Sequence, residues 1–165
     1  MHFEIRHEFD IPVDAIELAV LSPTLVERLA PRLPHIETVK QTSHVLEAGV
    51  LDRVWEYAAN VKVPTFARPY VTKDMLTWEE RSHYDMKKHE SHWDIFIQPK
   101  WRKYFTASGT YSLVPKGDGS ERIVRGDIDL LVPVMRGAAE RLIIGEVKKT
   151  FEAEAATLTD LATLV

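Results

Sequence analysis

The sequence predicts an α+β domain in which a run of antiparallel strands is crossed by one long C-terminal helix. Two observations carry that prediction. From Glu121 onward, Val124, Gly126, Ile128, Leu130 and Val132 alternate with Arg125, Asp127, Asp129 and Leu131, the period of a strand with one buried face. After Pro133 there is no further proline, and Met135, Ala139, Leu142, Ile143, Val147, Phe151, Ala155, Leu158 and Leu161 recur at helical spacing. Such a stripe must be buried, and the alternating strands upstream are the one large partner on offer. A helix laid across a curved sheet leaves a space between the two. What fills that space decides the function.

The elements follow in order. Phe3, Ile5, His7 and Phe9 alternate with His2, Glu4, Arg6 and Glu8, which makes the first element a strand. Pro12 suits the first turn of a short helix covering Val13, Ile16, Leu18 and Val20. Ser22 as cap and Pro23 at the first helical position start a second, which carries Leu25, Val26, Leu29 and Leu33 and stops by Pro34. Strand-like segments then run over 36–47, 50–59, 76–84, 89–97, 104–114 and 122–132. The turns between them are clearest at Ala48-Gly49 and at Lys116-Gly117-Asp118-Gly119, and short connections favour antiparallel neighbours. The order is therefore strand, two helices, six strands and a long helix, with no repeat or linker to divide residues 1–165.

Two stretches interrupt the meander. Residues 62–74 hold Pro64, Phe66, Pro69 and Tyr70, too many prolines for a central strand. Residues 98–103 hold Pro99 and Trp101 among Lys100, Arg102 and Lys103. Both sit where strands turn around. They read either as covers over one mouth of the space or as ordinary surface loops pinned by an aromatic each. The second is a basic-aromatic patch of the kind that makes transient contact with a membrane surface, where each basic residue contributes about 1 kcal/mol against anionic head groups. A soluble turn is the alternative.

Composition narrows the class. With 45% hydrophobic and 28% charged residues the chain reads as a soluble globular protein. No apolar run approaches the roughly 20 residues of a membrane span, and no signal peptide is expected. The absence of cysteine removes disulfides, thiolate nucleophiles and cysteine metal sites, which fits a cytoplasmic location. A net charge of −4 argues against a sequence-independent nucleic-acid binder.

The hairpin from Leu76 to Ile97 can be read in detail. If Asp85 to Lys88 form the turn, Tyr84 faces His89, Ser82 faces Ser91, Glu80 faces Trp93 and Trp78 faces Ile95. The other face pairs His83 with Glu90, Arg81 with His92 and Glu79 with Asp94, is charged throughout, and reads as solvent. The first set is then the concave face, on which Glu80 is out of place. A carboxylate among aromatics must be paired, protonated or close to the mouth. Arg53 is one partner for it, since Arg53 shares a strand face with Leu51, Trp55 and Tyr57. Either Glu80 lies near an edge or pairs with a neighbour, or it anchors the head group of a ligand. His7 is a second polar residue on an otherwise apolar face. Trp55, Tyr57, Trp78, Trp93 and Tyr111 are read as inner-face aromatics, either as core packing or as the apolar wall of a small-molecule site. Gly137 and Gly145 each cost the last helix about 1 kcal/mol relative to alanine. Close approach of helix to sheet is the expected reason, and room for a ligand the other.

Several constellations fail. His83, His89 and His92 cluster in sequence with Glu79, Glu90 and Asp94, but residues three apart on a strand point to opposite sides, so His89 and His92 diverge; a solvated charged face is expected rather than the alternative, a surface metal site from His83, Glu90 and His92. No serine occupies a nucleophile elbow, and Gly117 and Gly119 belong to a hairpin turn rather than a phosphate loop, so no cofactor is expected.

The wording of the chain adds a resemblance. Ala107-Ser108-Gly109-Thr110-Tyr111, Gly117-Asp118-Gly119-Ser120, Gly126-Asp127-Ile128-Asp129 and Leu130-Leu131-Val132-Pro133 resemble the START-like (SRPBCC, Bet v 1-related) superfamily of helix-grip folds. The likeness continues through Glu140-Arg141-Leu142-Ile143 and Glu146-Val147-Lys148-Lys149 to Phe151-Glu152-Ala153-Glu154, and is closest to a bacterial family without an assigned function. A looser similarity links Val63-Pro64-Thr65-Phe66-Ala67-Arg68 to PRELI-type lipid-transfer domains. The element order covers the whole chain, while the wording is specific over about its last third. The superfamily resemblance implies a seven-stranded antiparallel sheet wrapped around the C-terminal helix, with a hydrophobic cavity between them. It implies no reaction, because members include lipid carriers, hormone binders, cyclases and oxygenase subunits.

The functional expectation is a non-catalytic carrier or sensor that holds a hydrophobic small molecule or lipid under the last helix. The alternative is a cyclase- or hydratase-type enzyme using Glu80, His7 or Arg53 for acid-base work. An interaction module with a solid core is a third reading.

Overall fold

The computed structural model describes residues 1–131 and 136–164 of the chain. Strands β1 (His2–Phe9), β2 (Ile36–Glu47), β3 (Val50–Ala59), β4 (Thr77–Asp85), β5 (Glu90–Ile97), β6 (Phe105–Lys116) and β7 (Gly119–Leu130) form one sheet. Its order is β1-β7-β6-β5-β4-β3-β2, and every neighbouring pair is antiparallel. Two short helices, α1 (Val13–Leu21) and α2 (Leu25–Leu29), carry the chain from one edge strand to the other, and a single 3₁₀ turn, Ala30–Arg32, extends the second. The long helix α3 spans Arg136–Ala162. This is the expected architecture. The expected helix start at Pro133, and the positions of Val132 and Met135, lie outside the described residues.

Strands β2 and β3 have the bounds read from the sequence. Ala48 and Gly49 between them both take positive φ, 52° and 78°, the two-residue turn whose twist matches that of the strands it joins. The β4–β5 register is different from the expected one. Tyr84 pairs with Ser91, Ser82 with Trp93, Glu80 with Ile95 and Trp78 with Ile97, while His83 meets His92 and Arg81 meets Asp94. Asp85 belongs to the ladder opposite Glu90, and His89 supplies a turn residue at φ 50°. The turn is thus displaced by one residue and every pair by two. Because side chains alternate with period two, the faces survive the shift. The outer face is not charged throughout, however, since Glu79 now meets Phe96. The Arg81 guanidinium covers that ring at 4.6 Å.

Two apolar residues expected to be buried are exposed, Leu18 (54%) and Leu142 (50%). In α1 the inward stripe runs Val13, Ile16, Glu17 and Val20, and Leu18 falls off it by its helical angle. Glu17 can point inward because the Tyr84 hydroxyl donates to its Oε1 at 2.7 Å and His89 Nδ1 lies 2.8 Å from the same oxygen.

The core is not uniform along the strands. At the end where α1 and α2 cross the sheet, Ile16, Leu25, Leu51, Tyr84, Ser91 and Val124 are sealed from solvent. Every buried residue of α3 lies at Glu154 or later, and its packing is against α1, α2, β1 and β7. Toward the opposite end Trp78, Ile95 and Ile97 on the sheet and Ile143, Ile144 and Val147 on α3 are only partly buried. Between these regions Trp93 lies flat. Its row across the sheet is Ser82, Trp93, Gly109, Gly126 and Phe3, so the indole covers two paired glycines and stacks on Phe3 at 6.3 Å. A Cβ at Gly109 would meet Trp93 at 2.4 Å and one at Gly126 would meet Phe3 at 2.5 Å, so only glycine lets the rings descend to the backbone.

Candidate functional site

All eight residues singled out from the sequence lie on the inner side of the sheet, but they differ in what they offer. Trp55, Tyr57, Trp93, Tyr111 and Arg53 are buried. Trp55 donates from Nε1 to Gln41 Oε1 at 3.0 Å, and Tyr111 packs on Tyr84 at 5.9 Å. Trp78, Glu80 and His7 keep part of their surface. Trp78 stacks on Tyr57 with centroids 5.2 Å apart and planes 7° from parallel, an extended aromatic wall at the looser end.

Glu80 neither lies at a sheet edge nor has the expected partner. Its strand β4 is flanked by β3 and β5, and its register neighbours are Trp55 and Ile95. Arg53 is turned toward α1 instead: its guanidinium donates to the Val20 carbonyl at 3.0 Å and lies 4.1 Å over the Trp55 ring. Burial pushes the Glu80 carboxyl up to about 7, the nearby charge of Glu154 pushes in the same direction, and Arg53 opposes both. At neutral pH this carboxyl is therefore shared between a form that donates a hydrogen bond and a form that only accepts. Among the described residues, Arg53 Nε is a buried donor without a hydrogen-bond partner. The same charges act on Tyr57, whose hydroxyl is raised well above its ordinary range, chiefly by burial and then by Glu80 and Glu154.

His7 belongs to a second group. Arg122 is fully buried, with its guanidinium 2.9 Å from Glu154 Oε2, donating to the Phe151 carbonyl at 2.8 Å and reaching His7 Nδ1 at 3.4 Å. Burial lowers the His7 imidazole to about 4, and Arg122 pushes it the same way, so the ring is neutral at physiological pH. Glu154 joins the groups, since its charge acts on His7, Glu80, Tyr57 and Tyr111. One acidic residue from α3 thus stands among the two arginines, the tyrosines and the candidate carboxyl.

Arg122, Glu154 and Glu17 were not singled out from the sequence. The first two were within reach of its periodicity. Arg122 precedes Val124 by two on the buried face of β7, and Glu154 follows Phe151 by three and precedes Leu158 by four on the buried stripe of α3. Only their charge argued against placing them inside.

The glycines of α3 do not serve close packing. A Cβ at Gly145 would meet nothing within 4 Å, and one at Gly137 would find only Arg141 at 3.7 Å. The outer-face histidines are dispersed among separate partners, His83 on Asp52 at 2.6 Å and His92 on Asp94 at 3.3 Å. Among the described residues no group of three or more histidine or acidic side chains is close enough to hold a metal ion. No described helix is long and apolar enough to cross a membrane.

A search of the curated proteins finds no sequence match. Solved structures share the fold at low identity. A Thermus thermophilus protein superposes with a TM-score of 0.67 at 15% identity, over 99% of this chain and 98% of that one. An aromatase/cyclase from a Streptomyces species, Zhui, gives 0.67 at 14%, over 99% and 93% of the two chains. Norcoclaurine synthase from Thalictrum flavum gives 0.65 at 17%, over 98% and 85%. These likenesses show the fold alone, a curved antiparallel sheet gripping one long helix. Its sequence is also matched over residues 4–161 by one family, and the chain accordingly belongs to the family described as protein of unknown function, DUF2505.

Proposed function

We propose that this protein binds a hydrophobic small molecule carrying at least one polar group in the space between α3 and the inner face of β3, β4 and β5. One observation carries the reading: a carboxyl raised by burial, Glu80, stands in an aromatic wall where the facing residues of α3, Ile143, Ile144 and Val147, are only partly buried. An unpaired carboxyl costs stability that a structural role would not require. A ligand hydroxyl or carbonyl beside Glu80 and Arg53 would offset that cost, while Trp78, Ile97, Ile143 and Val147 supply apolar contact. Native mass spectrometry of the purified protein is the direct test, with extraction and identification of any bound molecule. A co-purified apolar molecule lost from the Glu80→Ala variant is the expected result. A ligand-free protein that also fails to bind an apolar fluorescent probe would end the proposal.

A second reading is favoured by the same carboxyl. A group poised near 7 and flanked by a buried arginine and tyrosine is suited to general acid-base chemistry. Two of the structural neighbours are enzymes by name, an aromatase/cyclase and a synthase, although they share the fold alone. Comparing the molecules extracted from wild type and from Glu80→Gln separates the readings. A carrier holds the same molecule in both, whereas an enzyme accumulates a different one, its substrate, in the variant.

A further inference from the structure

The loops at the looser end form a charge pattern that the rest of the molecule lacks. Residues 60–76, joining β3 to β4, and residues 98–104, joining β5 to β6, together contain Lys62, Arg68, Lys73, Lys100, Arg102 and Lys103 against one acid, Asp74. The chain as a whole carries −4, so a net +5 is concentrated in two connections of an otherwise acidic protein. All six basic residues are exposed. Asp74 is engaged internally and latches the loops side by side: it accepts from Trp101 Nε1 at 3.2 Å, from Lys100 and from the Thr72 hydroxyl.

The same loops display large apolar side chains. Phe66 and Tyr70 are 47% and 55% exposed, Tyr104 is 38% exposed, and Leu131, whose amide donates to the Tyr104 carbonyl at 2.8 Å, is 53% exposed. Lys103 lies 4.8 Å over the Tyr104 ring and Lys100 5.3 Å over Trp101, so cations and rings are interleaved rather than segregated. A loop built only for solubility does not need exposed rings among its cations. A surface that meets the interface of a bilayer needs both, aromatics for the headgroup level and cations for acidic lipids.

We propose that this basic-aromatic lip docks reversibly on the surface of a bilayer containing anionic phospholipid. The inference does not depend on what the interior holds, and it sets the looser end of the molecule against the membrane.

The test is flotation of the full chain with vesicles of phosphatidylglycerol and phosphatidylcholine in equal parts, beside vesicles of phosphatidylcholine alone. Binding to the acidic vesicles only, released by high salt, is expected. The triple variant Lys62→Gln, Lys73→Gln, Lys103→Gln removes exposed charges and should weaken partitioning about fivefold per residue, roughly a hundredfold in all. Phe66→Ser with Tyr70→Ser should weaken it with no change in charge. Lys87→Gln with Lys88→Gln, in the turn at the opposite end, is the control and should have no effect. Thermal unfolding of each variant checks that the fold is intact. No flotation with acidic vesicles, equal binding to neutral ones, or an equal loss in the control pair overturns the proposal. Displacement from the vesicles by single-stranded nucleic acid at comparable concentration overturns it as well.

Discussion

The two ends of this sheet are built from the same seven strands and covered by the same helix, yet they treat acidic groups in opposite ways. At the end closed by α1 and α2, the buried carboxylates have partners at hydrogen-bond distance: Glu154 has Arg122, and Glu17 has Tyr84 and His89. At the other end burial raises the Glu80 carboxyl to about 7, with Glu154 pushing the same way and Arg53 opposing both. The sealed end meets its carboxylates, although Arg122 Nε there is itself a buried donor without a hydrogen-bond partner among the described residues. The looser end leaves one carboxyl among aromatic side chains, where its protonation takes the place of a partner.

Substitutions can break or sharpen that contrast. The largest effect is expected at Arg122→Ala, which strands Glu154 inside the sealed end and should cost about 3–5 kcal/mol in urea unfolding. Adding Glu154→Leu to Arg122→Met should restore most of the loss, because removing both charges leaves no uncompensated ion. A single variant as stable as wild type would show that the pair is solvated after all. Next come the apolar residues of α3. Leu158 is completely buried, and Leu158→Ala should cost about 2–5 kcal/mol. Ile143 is partly buried, and Ile143→Ala should cost only about 1 kcal/mol. Equal costs would erase the difference between the two halves of the helix.

The pH dependence of stability gives a third comparison, at roughly 2 kcal/mol. Glu80 holds its proton up to about 7 in the folded chain and only to about 4.5 when unfolded, so its contribution falls as pH rises between those values. His7 is held neutral down to about 4 against an ordinary value of 6.5, so its contribution rises with pH across that window. In the wild type the two slopes oppose one another between about 4.5 and 6.5. Glu80→Gln should therefore be more stable than wild type at neutral pH, and its stability should climb from pH 4 to 6.5, as His7 dictates together with His44, which burial also lowers. Urea titrations at several pH values decide this, and parallel curves for the two proteins would refute the placement of Glu80. The smallest effect is expected at Gly145→Ala, a gain of about 1 kcal/mol, since the added methyl improves helix propensity and meets nothing.

Much of the architecture was legible because its signals are local. The bounds of the β2–β3 hairpin were read to the residue from two strand-like runs on either side of the Ala48-Gly49 turn signal. The β4–β5 register was not, because Asp85 suits either a turn or a ladder and nothing in the sequence announces that His89 takes a left-handed backbone. The inner position of Glu80 survived that error, since a shift of two preserves the face. What periodicity could not supply was the pairing of charges brought together from separate elements. Arg122 and Glu154 are 32 residues apart, and each alone looks wrong on a buried face. Glu17 is likewise acceptable only once a tyrosine from β4 arrives to meet it.

The clamping of α3 has a mechanical consequence. Fixed beyond Phe151 and resting lightly before it, the helix is a cantilever, stiff at its root and compliant at its tip. Bending the tip breaks none of the contacts that hold the root, so the first turns can move while the far half keeps its shape. Amide exchange should accordingly grade along the helix, slowest near Leu158 and fastest toward Arg136.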